Sequence, residues 1–582
     1  MTKTLTLSVE TKRTPLVAKA GEILRREFRE RGGIELAEHS PASGADLADL
    51  ALGIKPGIGQ EGFRIEAGPQ AGKRITGNDE RGLLYGVGKY LRGCTFGESA
   101  DSFRHSPWTG VSVPRRPVRG MYFATHFHNF YHDAPIQEVT RYVEELALWG
   151  CNALSVWFDM HHFAGIQDPA AQSMIRRLRG ILEAANAVGM GAGLTALSNE
   201  GYANSPEPLR ADWTAGHDGY TSPPGGHYHV ELCPSKAGGM EQILKDRQEM
   251  LAAFADLEIE YVWNWPYDQG GCTCGKCAPW GANGFLKIAR PYAEAVHRIL
   301  PHAKVVLSTW YFDHFTSGEW EGLARALGSR KPTFADYLMV DDYGEKFPEY
   351  PLRHGVPGGL PMLNFPEISM FDMFPWGGYG ANPLPRHLQR IWEVAGDRVV
   401  GGFPYSEGIF EDLNKAISLQ HYWGDRDAMD TVGEYAAAVA SPATANDLTR
   451  AIELMEEDHG HGIPAPWTGS GYNMAEIAKK LKSPENTAVL FATPKLKRAE
   501  ECADLVRQID ARLTAAARQS WRWRQLRIRA EADAELSRAG GQLTLALDAR
   551  LEELVAIYHA QQAELAVCPP SRSSLLRCWC GR

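Results

Sequence analysis

With 582 residues, 44% of them hydrophobic and 23% charged, the chain has an ordinary globular composition and enough length for two or three domains. A net charge of -10 without a Lys/Arg-rich run argues against nucleic acid or an anionic membrane as partner, and no stretch approaches the ~18 consecutive apolar residues of a spanning helix. The N-terminal MTKTLTLSVETKRTPL lacks a hydrophobic signal core, which points to the cytoplasm, and ten cysteines do not contradict that compartment.

Residues 4–10 alternate as a strand should, and residues 16–31 carry apolar side chains at helical spacing. Short strand-like runs follow at 48–54, 62–66 and 73–77. Asn78-Asp79-Glu80 then caps a helix running to about Leu91, whose Gly82, Gly86 and Gly88 would let it lie close on a sheet. Residues 1–114 therefore read as a small α/β domain.

From Arg115 to residue 428 the pattern is a regular alternation of apolar strand and amphipathic helix, which implies βα units and a parallel sheet. Eight strands are expected, at 118–124, 153–158, 189–195, 259–265, 304–310, 337–340, 359–365 and 399–403. Without a Gly-rich dinucleotide turn, this fits a (β/α)8 TIM barrel better than an open doubly wound sheet. The Gly/Pro/Ser/Tyr-rich segment 197–230 should lie over the barrel mouth. Beyond it, residues 429–567 read as a C-terminal helical domain, with helices at 432–439, 445–458, 474–481 and a long one at 495–562; a homodimer contact could form there. Residues 568–582, with Cys568, Cys578 and Cys580, form an atypical tail.

Active sites of such barrels stand at the carboxyl ends of the strands, so the residues there are the candidates. The fourth strand ends in Tyr267-Asp268-Gln269-Gly270-Gly271. This makes Asp268, flanked by Trp265 and Tyr267, the first catalytic candidate, against its capping the next helix. Across the mouth, Glu367 and Asp342 are its natural catalytic partners. The other strand ends bring His126, His128, Asp159, Trp310, Asp313, Asp341, Tyr405 and Glu407, which with Trp265, Tyr267 and Gln269 form the expected substrate-binding set. Glu411 and Asp412 begin a helix and are read as serving its positive end. Carboxylates and aromatics together suit a carbohydrate: rings stack on pyranose faces, and carboxylates accept hydroxyls and supply acid/base work.

Two groups could instead bind metal. His126 and His128, with His161 and His162, have the look of a hydrolase site but lack a bridging Lys or a further His after strands four to six. Cys233 with Cys272, Cys274 and Cys277 could supply four thiolates to zinc, or remain reduced thiols stiffening a loop. The expectation is no resident metal or cofactor.

The chain resembles the family 20 β-N-acetylhexosaminidases over roughly residues 1–430, and the likeness is specific in four places. Gly77-Asn78-Asp79-Glu80-Arg81-Gly82 is similar to the helix closing that family's N-terminal domain, and Leu232-Cys233-Pro234-Ser235 is similar to the LCPS before its catalytic strand. Arg119-Gly120 is similar to its RG, whose Arg grips terminal-sugar hydroxyls, and Glu407 stands where the family keeps a Glu for the same purpose. The chain departs at the centre, where the family's adjacent Asp-Glu reads Asp268-Gln269, and a Gln side chain cannot give up the proton.

The expectation is a glycoside hydrolase, exo-acting on short oligosaccharides, with Asp268 as general acid and Glu367 as nucleophile or base. Arg119 and Glu407, on neighbouring strands of a closed barrel, are expected to clamp a terminal sugar or else to pair across the seam. The alternatives are a sugar-binding protein without catalysis, suggested by Gln269, and a metal-dependent hydrolase or isomerase using the histidines.

Overall fold

The computed structural model describes residues 4–39, 48–68, 72–126, 128–212, 230–267, 271–314, 316–342, 347–368, 381–458, 495–542 and 544–560. The expected helix at 474–481, the tail, and Asp268 and Gln269 lie outside them. Among the described residues no helix is long and apolar enough to cross a membrane.

The first layer is a six-stranded sheet of β1 (Thr4–Val9), β2 (Glu35–Glu38), β3 (Leu50–Ile54), β4 (Phe63–Ala67), β5 (Lys73–Gly77) and β6 (Gly110–Ser112), ordered β2-β1-β3-β5-β4-β6. β4 runs antiparallel to β5 and β6, and the remaining pairs are parallel. Helix α1 (Pro15–Gly32) and helix α2 (Glu80–Gly93) accompany this sheet. The Asn78-Asp79 pair starts α2 by local chemistry. Asp79 caps the Gly82 N–H at 2.9 Å, and the Asn78 side chain takes the N–H groups of Gly57, Ile58 and Gly59. The small residues of α2 serve two surfaces. A Cβ at Gly86 would strike Ile75 of the sheet at 2.7 Å, but one at Gly88 would strike the Leu148 carbonyl at 2.1 Å, on a barrel helix.

The second layer is a closed parallel barrel of β7 (Val118–Phe123), β8 (Ala153–Trp157), β9 (Gly191–Leu197), β10 (Ile259–Trp265), β11 (Lys304–Ser308), β12 (Tyr337–Asp342), β13 (Met362–Pro366) and an eighth strand in two pieces, β14 (Gly401–Gly402) and β15 (Tyr405–Ser406). Closure is made by β14 and β15, both pairing with β7. The TIM-barrel fold is therefore present, with the α/β sheet before it and helices after it. The strands read as apolar runs because the lumen covers one face and helices cover the other; all seven residues of β9 are buried. The lumen floor is tight: a Cβ at Gly120 would lie 2.3 Å from the Phe403 ring, so glycine there makes room for the aromatic plug.

The expected single helix at 495–562 is four: Leu496–Asp510, Ala515–Gln519, Trp521–Arg538 and Leu545–Ile557. The breaks fall at Thr514 and Thr544, whose side chains cap the following helix, at Ser520, and at Gly540 and Gly541, both with positive φ. These helices lean on the barrel through Arg522, bound to Asp412 at 2.7 Å, and Arg529, bound to the Ala381 carbonyl at 2.6 Å. Helix Ala428–Val439 meets α2 through Glu434, held by Lys89 at 2.8 Å and Arg92 at 2.7 Å. One continuous apolar core runs from Leu5 to Ala560 across all three layers.

Candidate active site at the barrel mouth

The upper lumen is lined by rings, because successive strands place aromatics at alternate positions. Tyr122 of β7 stacks near Trp265 at 6.2 Å, lies 5.3 Å from Phe365 and 5.8 Å from Tyr405. Trp265 in turn meets Trp310 at 5.6 Å and Trp157 at 6.0 Å, and His126 lies on Trp157 at 4.6 Å with its Nδ1 bonded to the Tyr122 hydroxyl at 2.8 Å. His126, Trp265, Trp310 and Tyr405 thus share one aromatic wall.

Carboxylates stand on this wall at the ends of the last three strands. Tyr405 donates to Glu407 Oε1 at 2.7 Å, and Glu367 bridges to Tyr405 in parallel pairing, so Glu367 faces the same side as the Tyr405 ring. Both carboxylates are deep, 3% exposed for Glu367 and 2% for Glu407. Burial pushes the Glu407 carboxyl up to about 7, offset in part by the Tyr405 hydroxyl and reinforced by the neighbouring Glu411. Among the described residues, Glu407 Oε2 and Trp265 Nε1 are buried without a hydrogen-bond partner. Unpaired polar groups of this kind are costly in a folded chain and suit a polar ligand.

The backbone that presents Glu407 is braced from behind. Glu411 Oε1 accepts the Glu407 N–H at 3.0 Å, the Gly408 N–H at 3.2 Å and the Ser406 hydroxyl at 2.7 Å. The fully buried Lys415 sits 3.4 Å from that carboxylate and donates to the Gly408 carbonyl and to the Tyr131 and Tyr142 hydroxyls. Burial pulls the Lys415 ammonium down, against the pull of Glu411 and Asp412. Asp412 binds Tyr142, Tyr435 and Arg522, so it joins this support to the C-terminal helices.

On the other side of the mouth, Asp159 and Glu200 hold His161, with Nδ1 at 2.6 Å and 3.1 Å from their oxygens. Burial opposes the imidazolium, but these two acceptors raise it to about 9, so the ring is charged at neutral pH. Trp157 Nε1 also reaches Glu200, at 3.4 Å.

Several expected site residues have other duties. Arg119 does not stand beside Glu407. It is fully buried at the opposite end of the barrel, where it pairs with Glu61 of the N-terminal sheet layer, donates to the Gly150 and Arg116 carbonyls at 2.8 Å, and lies over Trp423 at 5.2 Å. The reason is strand parity: Gly120 and Tyr122 face the lumen, so Arg119 faces out. The same parity separates the adjacent aspartates. Asp341 pairs in register with the lumen-facing Phe365, whereas Asp342 points to the helix side, taking a hydrogen bond from Asn364 at 3.1 Å. Asn364 in turn accepts from Tyr422 at 2.7 Å. Burial pushes Asp342 up to about 8, so it sits as a neutral structural acid and not among the lumen carboxylates.

Tyr267 is fully buried and donates to Glu319, which also accepts the Gly281 N–H at 2.6 Å. Asp313 caps the helix Glu319–Leu327 through the Glu319 N–H at 2.7 Å. His128 turns to Asp133 at 2.8 Å while His126 turns to Tyr122, so the two imidazoles do not converge on one ion. The two groups of described residues whose ligand atoms do converge are Asp159, His161 and His162, already joined as ion pairs, and Cys233, Cys272, Cys274 and Cys277.

Sequence reasoning missed the supporting residues Glu61, Glu319 and Lys415. Only Lys415 carried a signal, lying four residues after Glu411 on the same helix face. A cavity of about 700 Å3 lies away from the strand ends, between α1, helix Ile136–Leu148 and the C-terminal helices, lined by Arg31, Trp149, Trp521 and Arg522 among others.

No protein-family model matches the chain, and no curated protein matches it. Among solved structures it is similar to a family GH115 4-O-methyl-α-glucuronidase with specificity for decorated arabinogalactans, with a TM-score of 0.61 and 10% identity over 99% of this chain and 78% of that one. It is similar to a GH89 protein from Clostridium perfringens solved with its substrate GlcNAc-α-1,4-galactose, at TM-score 0.61 and 10% identity, covering 95% of this chain and 65% of that one. It is also similar to a GH20 β-N-acetylhexosaminidase from Streptomyces coelicolor A3(2), at TM-score 0.51 and 16% identity, covering 76% and 92%. At these identities the likeness is one of fold. The neighbours are glycoside hydrolases of several families.

Proposed function

We propose that this chain hydrolyses glycosidic bonds, acting at the end of short oligosaccharides, with Glu407 as general acid and Glu367 as nucleophile or base. The observation that carries the reading is Glu407: a deep carboxyl, raised to about 7, fixed through Oε1 to Tyr405 and without a hydrogen-bond partner at Oε2 among the described residues, beside a wall of Trp265, Trp310 and Tyr405 rings. A carboxylic acid still protonated near neutral pH can hand its proton to the glycosidic oxygen as the bond to the anomeric carbon breaks. Glu367, brought to the same side of Tyr405, then attacks that carbon or activates a water against it. The rings carry the sugar faces, and Asp341, Asp159, His126 and the Trp265 N–H are proposed to take hydroxyls.

Asp268, which the sequence puts directly after β10 and Tyr267, remains a proposed catalytic carboxylate, with Gln269 beside it as a hydroxyl ligand. Exo action no longer draws on Arg119. It draws on depth, since carboxyls 2–3% exposed are reached by a terminal sugar and not by the middle of a chain. The neighbours' activities support the class and not a particular sugar.

The test is a screen of nitrophenyl glycosides and natural oligosaccharides with product analysis by mass spectrometry. Release of single terminal sugars, lost in Glu407→Gln and Glu367→Gln, is expected. Binding of sugars without cleavage would favour the non-catalytic reading that Gln269 suggests. Internal fragments would contradict exo action.

A further inference from the structure

We propose that Cys233, Cys272, Cys274 and Cys277 form a structural zinc site that ties the loop following β10 to the segment preceding the helix Gly239–Ala252. All four sulfurs lie within 4.8 Å of one another, and Cys233, Cys272 and Cys277 are buried. A tetrahedral zinc with Zn–S bonds of about 2.3 Å places its sulfurs about 3.8 Å apart. Cys233 Sγ stands 3.7 Å from Cys274 Sγ and 3.8 Å from Cys277 Sγ. That spacing is too long for a disulfide, whose sulfurs bond at about 2.0 Å, and one sulfur holds it to two others at once, as a shared centre requires.

The surrounding backbone has the form of a metal knuckle. The N–H groups of Cys277 and Ala278 turn back onto the Cys274 carbonyl at 2.8 Å and 3.0 Å, so that Cys274-Gly275-Lys276-Cys277 presents both its sulfurs to one side. The fourth ligand comes from a distant segment, held in place without the metal. Asn199, fully buried, donates to the Leu232 carbonyl at 3.0 Å and to the Gly271 carbonyl at 3.1 Å, stitching together the residues that precede Cys233 and Cys272. The Thr273 N–H joins the same loop to the Asp212 carbonyl at 2.9 Å. Around the cluster, Ser235 Oγ lies 3.1 Å from Cys277 Sγ and accepts from Lys287 at 2.9 Å, which places a cation beside a centre of net negative charge.

Zinc displaces one proton from each thiol, giving a tetrathiolate of charge minus two with no change of oxidation state. The ion is soft-ligand bound and fully surrounded, so it has no open position for a substrate and its role is to hold the loop. What it holds is of consequence: Cys272 follows residues 268–270 after a single glycine, so the site fixes the far end of the segment containing Asp268. This assignment does not rest on the glycosidase reading.

The experiment is zinc determination on the full-length, untagged protein purified without chelator, together with cobalt substitution. One zinc per chain is expected, falling to background in Cys274→Ser and Cys277→Ser. The cobalt form should show thiolate-to-cobalt charge transfer in the near ultraviolet and the intense visible bands of a tetrahedral sulfur site. Because a cysteine variant can fail to fold, release from the wild type is measured as well: titration with an organomercurial should liberate one zinc into a chelating dye as the four thiols are consumed. Background zinc in the wild type together with no tetrahedral cobalt spectrum would overturn the proposal, as would recovery of any of the four cysteines in a disulfide.

Discussion

Replacing Glu407 by Gln should do two opposite things, and the size of one can be worked out. The Glu407 carboxyl goes from an ordinary 4.5 to about 7 in the folded chain because burial disfavours its charge. A carboxyl raised in this way binds its proton more tightly folded than unfolded, so it destabilises the fold increasingly as pH rises from about 4.5 to about 7, and the loss is complete above that window. With those two values the cost is about 0.8 kcal/mol at pH 5 and about 3.4 kcal/mol at pH 8.5. Gln keeps the shape and the acceptor for Tyr405 but never ionises. Urea unfolding of both proteins should therefore show the variant gaining about 2.5 kcal/mol relative to wild type between pH 5 and pH 8.5. Comparing two pH values cancels any constant packing difference. The same variant should have lost glycoside turnover. A relative stability that does not change with pH would refute the claim that Glu407 carries a raised, buried proton, and with it the acid role.

The other expectations concern residues that hold the site. Arg119→Met should destabilise by about 1–3 kcal/mol, because the buried Glu61 loses one of its two guanidinium partners and keeps only Arg81 at 2.9 Å, while kcat/KM of the folded fraction stays near wild type; an intact melting temperature with lost activity would return Arg119 to the mouth. Glu411→Ala should cost about 1–3 kcal/mol and lower kcat more than it raises KM, since the oxygen it removes fixes the Glu407 and Gly408 backbone; equal loss in both parameters would deny that positioning role. His161, raised to about 9, contributes stability that is fully present below pH 6.5 and is lost as pH rises through 9, a fall of about 3 kcal/mol that unfolding of His161→Gln should not show.

The barrel is legible in the sequence because strands buried on both faces read as apolar runs: β10, residues 259–265, is recognisable at once, and its end in Tyr267-Asp268 marks the mouth. What periodicity does not convey is direction at a strand's end. A one-residue step reverses the face, and that step decides whether Asp341 or Asp342 reaches the lumen and turns Arg119, at the start of β7, out of it. Glu407 is visible as a strand-end carboxylate, but its raised proton depends on burial and on Glu411 behind it, which is tertiary information. Glu61 is harder still, since its partner Arg119 lies 58 positions away in another layer. The long C-terminal helix is overestimated because Arg, Glu and Ala continue through the breaks, and the capping role of Thr514 and Thr544 shows only once the helices turn.

Hydrolysis by the carboxylates on this wall would put an oxygen from water into the released sugar. It is tested most directly by incubating an oligosaccharide that the protein binds in water enriched in heavy oxygen, with the wild type, Glu407→Gln and Glu367→Gln side by side, and weighing the products. Terminal sugars carrying one heavy oxygen at the anomeric carbon per cleavage are expected with the wild type, and intact, unlabelled oligosaccharide with both variants. Equal labelling in all three, or no cleavage of any bound oligosaccharide by the wild type, would contradict it.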